Sequence, residues 1–264
     1  MNTNRDFIRN EQDFLDSVSH TYRLNGSIYQ QIKREFAIRA FVPFMHSDGC
    51  INEGGRILQL GCADGFETSL LSKVAKELDV IDGSEEFIKQ CEKTDYQNVR
   101  FMRTLFEEYR LSGEDEKYDY IFASYVLEHV LDVRTVLEMI GSVIKPAGLL
   151  FVVVPNARAL SRQLALHMKI IDGLRKLTEN DKDHGHRRVY DRVALNNDIE
   201  NGGFEIIAQG GIIFKLLADF QLDKLVDDGF LTREHMEGLY RLGLEYPDMC
   251  DSLYAVCRRK KPNA

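Results

Sequence analysis

Residues 56 to 65, RILQLGCADG, join a short apolar run to a turn made of Gly61, Cys62, Ala63, Asp64 and Gly65. Gly61, Ala63 and Gly65 give that turn a small-residue edge along which a ligand can lie against the backbone. Asp82 closes the next apolar run, LDVID, seventeen residues after Gly65. A carboxylate at a strand tip beside such a turn accepts hydrogen bonds from both hydroxyls of a ribose. Together they read as a nucleoside site, a stronger reading than a bare strand–helix connection. The spacing is not that of a dinucleotide fingerprint. Phe66 stands at the place of the third glycine, and its bulk would obstruct a pyrophosphate at the helix start, which disfavours a nucleotide-dependent oxidoreductase.

Two other groups carry polar chemistry. Ser124-Tyr125-Val126-Leu127-Glu128-His129-Val130 follows the fourth apolar strand, at the edge where open α/β sheets bind ligands. His129 is a candidate base, since an unperturbed imidazole titrates at about 6.5; capping or packing the next helix is its alternative role. Residues 181 to 190, DKDHGHRRVY, set His184 and His186 among two aspartates and beside Arg187 and Arg188. Consecutive loop residues rarely converge on one ion and the arginines oppose a cation, so no metal site is expected. Guanidinium forks suit phosphate or carboxylate, with Arg158 and Arg162 near in sequence, and His186 can donate or accept a proton. His184, His186 and Arg187 are therefore candidates for holding an acceptor, including an anionic one. A solvated charged loop fits the same residues.

These groups need elements to position them. From Arg56 the chain alternates regularly: strand 56–60, helix 65–76, strand 78–82, helix 84–93, strand 98–103, strand 118–123, helix 131–144 and strand 149–155. Repeated strand–helix units predict a parallel sheet with helices on both faces, and the near-continuous apolar runs YDYIFAS and GLLFVVVP suit strands covered on both sides. Lys145-Pro146-Ala147-Gly148 reads as the stop between helix and strand. Beyond Pro155 the pattern loosens: helix over 157–178, a charged loop over 179–190, helix over 190–202, strand FEIIAQGGIIF, two helices within 215–243 and a closing strand DSLYAVCRR. A late pair of strands around a helical insertion suggests an antiparallel finish. Residues 1–46 show helical periodicity in Phe7, Phe14, Leu15, Tyr29, Ile32, Phe36, Ile38 and Phe41. They form a lid or a packed flank; as a lid they would offer Tyr22 and Tyr29 to an acceptor. The expected organisation is a single domain over 1–264, with 157–250 as helical decoration on the acceptor side.

The bulk properties exclude several classes. In 264 residues, 44% are apolar and 29% charged, a globular balance. A net charge of -8 argues against a nucleic-acid partner, whose backbone attracts summed positive charge. Cys50, Cys62, Cys91, Cys250 and Cys257 are odd in number and show no short paired spacing, so they read as reduced thiols of a cytoplasmic protein. No apolar run reaches the ~18 residues of a membrane span, and the first residues carry no hydrophobic signal core. A homodimer is compatible with all of this.

LQLGCADG, VIDGSEEFI, FASYVLEHV and IKPAGLLFVVVPN occur in that order between residues 50 and 160, and as a set they resemble the class I S-adenosylmethionine-dependent methyltransferases of small-molecule type. The resemblance implies an α/β, Rossmann-like seven-stranded mixed sheet of order 3-2-1-4-5-7-6 with the last strand antiparallel, and S-adenosyl-L-methionine as cofactor. It implies that Gly61, Cys62, Ala63 and Gly65 run under the methionine and ribose, and that Asp82 binds the ribose hydroxyls. Gly83 and Ser84 would lie beside the adenine, Leu105 and Phe106 would border its ring, and Ser124 and Tyr125 would stand near the methyl group. Three positions depart from the family pattern: Gln59 replaces a carboxylate two residues before the first glycine, Ala63 replaces the middle glycine, and Thr104 replaces the acid after strand three. The implied activity is methyl transfer to a small acceptor, more readily at a hydroxyl of a sugar-like, nucleotide-linked or secondary metabolite than at nitrogen. A noncatalytic cofactor-binding or scaffold protein is the rival outside enzymes.

Overall fold

Seven strands hydrogen-bond in the order β3-β2-β1-β4-β5-β7-β6 in the computed structural model, which describes residues 3–19, 27–45, 55–111, 113 and 117–261. The strands are β1 Arg56–Leu60, β2 Glu77–Asp82, β3 Val99–Arg103, β4 Tyr118–Ser124, β5 Ile144–Pro155, β6 Phe204–Phe214 and β7 Cys250–Arg259. The first five are parallel, and β7 runs antiparallel to both β5 and β6. This is the expected order. All parallel strands therefore end on one edge, where β1 delivers the glycine turn, β2 delivers Asp82 and β4 delivers Ser124.

The alternation of side chains along the strands divides the interior in two. Leu58, Ile121 and Val152 face one side with Leu137 and Ile140 of α5 (Val133–Val143) and Leu195 and Ile199 of α8 (Arg192–Asn201). Ile57, Val80, Phe122, Phe151 and Val153 face the other with α2 (Ile28–Met45) and α10 (Arg233–Glu245). Phe41 of α2 fixes that second layer, with ring centroids 4.6 Å from Phe151 and 5.9 Å from Phe122. Arg39 joins α2 to α10, 2.7 Å from Glu237 and 4.0 Å above the ring of Tyr240.

The remaining helices are α1 (Thr3–Val18), α3 (Phe66–Leu71), α4 (Glu85–Cys91), α6 (Leu160–His167), α7 (Glu179–Asp183) and α9 (Asp219–Asp227). Several differ from expectation. The helix expected over 65–76 is only α3, six residues long. The one expected over 157–178 stops at His167, just before Lys169 adopts a φ of 60°. The charged loop 179–190 holds α7, started by a reciprocal capping box between Thr178 and Asp181. Lys145–Gly148 does not separate helix from strand. It is absorbed into β5, whose pairing with β4 shifts register between Tyr118 and Tyr120, a local irregularity that lets the strand run through the Pro-Ala-Gly segment. Tyr22 lies outside the described residues. Among the described residues no helix is long and apolar enough to cross a membrane. Cys62, Cys91, Cys250 and Cys257 are buried free thiols.

Candidate functional site

The glycine turn is held by its own backbone. Gly61 N donates to Ile81 O at 2.8 Å and Gly65 N to Cys62 O at 2.8 Å. Gly61, Ala63 and Gly65 all have positive φ, of 77°, 44° and 80°. Asp82 is fixed by two amides: Cys62 N donates to Oδ2 at 2.9 Å and Ser84 N to Oδ1 at 2.8 Å. Burial nevertheless raises its pKa, because loss of water outweighs those donors. A methyl placed on Gly61 would stand 3.7 Å from Val126, 3.9 Å from Phe106 and 4.0 Å from the Asp82 carboxylate, so these residues bound one small space. Gly83 is pressed between Leu105 and Leu15 of α1, whose side-chain ends a methyl there would displace.

Gln59 braces the turn. Its amide donates to Gly61 O at 2.9 Å and accepts from Thr68 Oγ1 at 2.9 Å. Asp64 is taken by Arg34 of α2 in a two-pronged ion pair of 2.7 and 3.1 Å. Thr104 only meets its neighbour's carbonyl, Leu105 O, at 3.2 Å, while its amide donates to Asp82 O at 2.9 Å. These contacts leave a tight turn of small residues beside a fixed carboxylate, which suits an adenosine.

The other half forms at the end of β4. Tyr125 has a φ of 56°, a strained value for a residue with a side chain, and its amide donates to Val153 O at 2.8 Å. A buried charge network holds it there. Tyr125 Oη meets Ser252 Oγ at 3.0 Å, Ser252 donates to Asp251 at 3.0 Å, and Asp251 pairs with Lys33 at 2.9 Å and with Lys215. Lys215 also pairs with Asp219, and Lys33 sits 5.0 Å from the Tyr125 ring centroid. Burial alone would discharge both lysines, but Asp251 and Asp219 more than offset it and hold their pKa values up; Asp251 is held well below the usual carboxylate range. Tyr29, also a candidate, is fully buried beside this network, with no hydrogen-bond partner for its hydroxyl among the described residues.

Glu128 is 1% exposed, and neither carboxylate oxygen has a hydrogen-bond partner among the described residues. Burial pushes its pKa up to about 7. His129 Nε2 lies 3.9 Å from Glu128 Oε1, and the rings of His129 and His186 meet edge to face at 4.7 Å. Burial, with His186 beside it, pushes His129 down to about 3. That is a poor value for a general base at neutral pH and favours the packing role for His129. His186 Nδ1 lies 3.5 Å from Asp181, which Arg162 also holds at 3.1 Å.

The 181–190 segment does reach the carboxyl edge of the sheet. Arg187 N donates to Glu128 O at 2.8 Å, and Arg188 donates to Leu127 O at 2.5 Å and Leu131 O at 3.1 Å. The guanidinium of Arg187 is not free for an anion, however: it donates to His129 O and to Glu11 of α1, each at 2.7 Å, and lies 5.0 Å from the Phe14 ring centroid. His184 is 6.4 Å from His186 and turns Nδ1 to Asn180 O at 2.8 Å. Glu128, His129 and His186 have donor atoms within 4.8 Å of one another, a spacing open to a divalent ion. Arg187 and Arg188, bonded to the backbone of the same turn, add two positive charges against it.

Sequence reasoning singled out neither Glu128 as the titrating group nor Lys33, Lys215 and Asp251. Glu128 stood next to the favoured histidine and could have been weighed with it. The lysine network gave no local signal, since its members come from α2, the end of β6 and the start of β7.

Residues 30–209 match the family described as "Methyltransferase domain", and the chain belongs to that family. The fold and the paired turn and carboxylate define it as a class I domain that takes S-adenosylmethionine. Among curated relatives, the human mitochondrial ubiquinone biosynthesis O-methyltransferase is 34% identical over 130 residues, covering 46% of this chain and 34% of its own length. The ubiquinone biosynthesis O-methyltransferase of Rhizobium leguminosarum is 25% identical over 185 residues, covering 68% and 71%. The matched region spans between a third and a half of the first three curated relatives. The methyltransferase in a complex with the Haloferax volcanii Trm112 methyltransferase activator shares the fold with a TM-score of 0.59 at 16% identity, over 96% of this chain and 99% of its own. The magnesium protoporphyrin IX methyltransferase of Synechocystis shares it with a TM-score of 0.57 at 13% identity, over 94% and 97%.

Proposed function

We propose that this protein methylates a hydroxyl of a small molecule, with Glu128 as the proton acceptor. The observation that carries the reading is the buried, unpartnered Glu128 carboxyl with a pKa of about 7, directly after the strand end that carries Ser124 and Tyr125. A carboxyl tuned to neutral pH can take a hydroxyl proton as the oxygen attacks. S-adenosylmethionine, when bound, supplies a methyl group already activated on sulfur. Gly61 through Gly65 and Asp82 bind the adenosine and ribose, while Leu105, Phe106 and Val126 shape the adenine wall. His129 and His186 orient the Glu128 turn and the acceptor. The Lys33–Asp251–Lys215 network holds Tyr125, and with it the turn that aims Glu128.

Helix α1 acts as a lid. Asp16 accepts from Ser84 Oγ at 2.6 Å and lies 3.5 Å from Arg103, while Glu11 holds Arg187 at 2.7 Å, so one helix fastens the cofactor side to the 181–190 segment. Excluding water there strengthens the fixed charges inside. The curated relatives are named for O-methylation in ubiquinone biosynthesis, which supports a hydroxyl acceptor. Since Arg187 is engaged and the buried lysines are matched by aspartates, the acceptor need not be anionic.

The test is incubation with metabolite pools and S-adenosylmethionine, read by mass spectrometry for a methylated small molecule. Methylation confined to protein or nucleic acid overturns the acceptor class, and methylation at nitrogen overturns the hydroxyl. Glu128→Gln is expected to lower turnover by ~10²–10⁴-fold with cofactor affinity retained. Turnover should survive a chelator; loss restored by a divalent ion would instead make the triad a metal site.

A further inference from the structure

The buried polar groups left without partners do not end with Glu128. Glu67, in the first turn of α3, is only 7% exposed, and its Oε1 has no hydrogen-bond partner among the described residues. Ser124 Oγ, at the end of β4, is likewise buried and unpartnered. The two stand close enough for the serine to favour the charged carboxylate, yet burial still pushes Glu67 up to about 7. The cations around it already have carboxylates of their own. Arg34 is held two-pronged by Asp64 at 2.7 and 3.1 Å, and Lys33 is held by Asp251 at 2.9 Å. A carboxylate and a hydroxyl, both sequestered and both unsatisfied, border the glycine turn from two different elements. Such a pair matches a ligand that brings several N–H donors and one positive charge.

The departure at Gln59 points the same way. A carboxylate there would be available to a cofactor amino group, but Gln59 is 2% exposed and engaged on both sides, to Gly61 O and Thr68 Oγ1, each at 2.9 Å. It cannot turn to a ligand without releasing the turn.

We infer that Glu67, assisted by Ser124, binds the α-ammonium group of the methionine portion of S-adenosylmethionine, taking over from the carboxylate that Gln59 replaces. The inference rests on the reading of the glycine turn as the cofactor site, and it assigns the amino-acid end of that site. Glu67 is a binding residue in this assignment, with no part in proton transfer.

Calorimetry on the intact protein separates the possibilities with three probes. S-adenosylhomocysteine carries the ammonium group, its desamino analogue lacks only that group, and 5′-methylthioadenosine lacks the whole amino-acid portion. Glu67→Gln should weaken S-adenosylhomocysteine at least tenfold while changing the other two less than about threefold. Ser124→Ala should show the same selectivity with a smaller loss. The thermal midpoint of ligand-free Glu67→Gln is expected to equal or exceed that of the parent, since an unmatched buried charge is removed. Equal weakening of all three probes would make Glu67 a structural residue and overturn the inference, as would undiminished S-adenosylhomocysteine binding. Parent protein that binds none of the three overturns the cofactor site itself, and the inference with it.

Discussion

Glu128 and His129 are adjacent in sequence, yet their surroundings push them to opposite ends of usefulness. Both lose water, which favours the neutral form of each: the carboxyl rises to about 7 and the imidazole falls to about 3. The pH profile of turnover follows from that sign. Activity should rise with pH through about 7 as Glu128 ionises, with no limb near 3 attributable to His129, and Glu128→Gln should remove the rising limb. A profile that is flat from pH 5 to 8 in the parent would exclude Glu128 as the acceptor. Asp82 makes a separate prediction. Asp82→Ala removes the acceptor for the ribose hydroxyls and leaves the Cys62 and Ser84 amides unpaired, so S-adenosylhomocysteine affinity should fall by ~10-fold or more. Calorimetry checks this, with far-ultraviolet dichroism to confirm the fold.

At the scale of elements, the turn between β1 and α3 is the most constrained connection. Gly65 has a φ of 80°, and a methyl there would stand 3.0 Å from Cys91 Sγ of α4. Gly65→Ala should therefore cost roughly 1–2 kcal/mol in denaturant unfolding; an unchanged midpoint would mean that α4 yields freely. Helix α1 is tied to the rest of the site by polar contacts from Asp16 to Ser84 and Arg103 and from Glu11 to Arg187. Partly exposed pairs of this kind contribute only ~0–1 kcal/mol. Asp16→Ala is then expected to barely shift the melting temperature while speeding release of S-adenosylhomocysteine several-fold in stopped flow. Release at the parent rate would leave α1 a packed flank with no gating role.

Across the whole molecule, Glu67 and Glu128 are two buried carboxyls with pKa values raised to about 7 from the usual 4.5. Each binds its proton more tightly folded than unfolded, so each contributes stability that is full below the unfolded pKa and is lost as pH rises toward about 7. The loss is about 3 kcal/mol per carboxyl by pH 8. Ligand-free protein should accordingly be more stable at pH 5 than at pH 8 with respect to these groups, and the Glu67→Gln, Glu128→Gln double variant should narrow that difference in urea titrations. An unaltered difference would show that both carboxyls are solvated in solution.

The sequence by itself determined the sheet and its carboxyl edge. Strand–helix alternation is written in local hydrophobic runs, and the short turn Gly61–Gly65 followed by Asp82 at the tip of β2 follows from chain order, because parallel neighbours must end on the same edge. Local signals misjudged helix lengths: α3 ends at Leu71, well short of 76, and the helix begun at Leu160 ends at His167, just before the positive φ of Lys169. Only the tertiary structure decided how each ionisable group behaves. Arg187 had the chemistry for an anion, but folding placed Glu11 and the His129 carbonyl against it. Nothing in the sequence distinguishes Glu67 from other acids, and its raised pKa comes from burial that exists only in the folded chain. A residue's type is local, whereas its burial and its partners come from segments far apart in the chain, and those are what set charge, pKa and the ligand that fits.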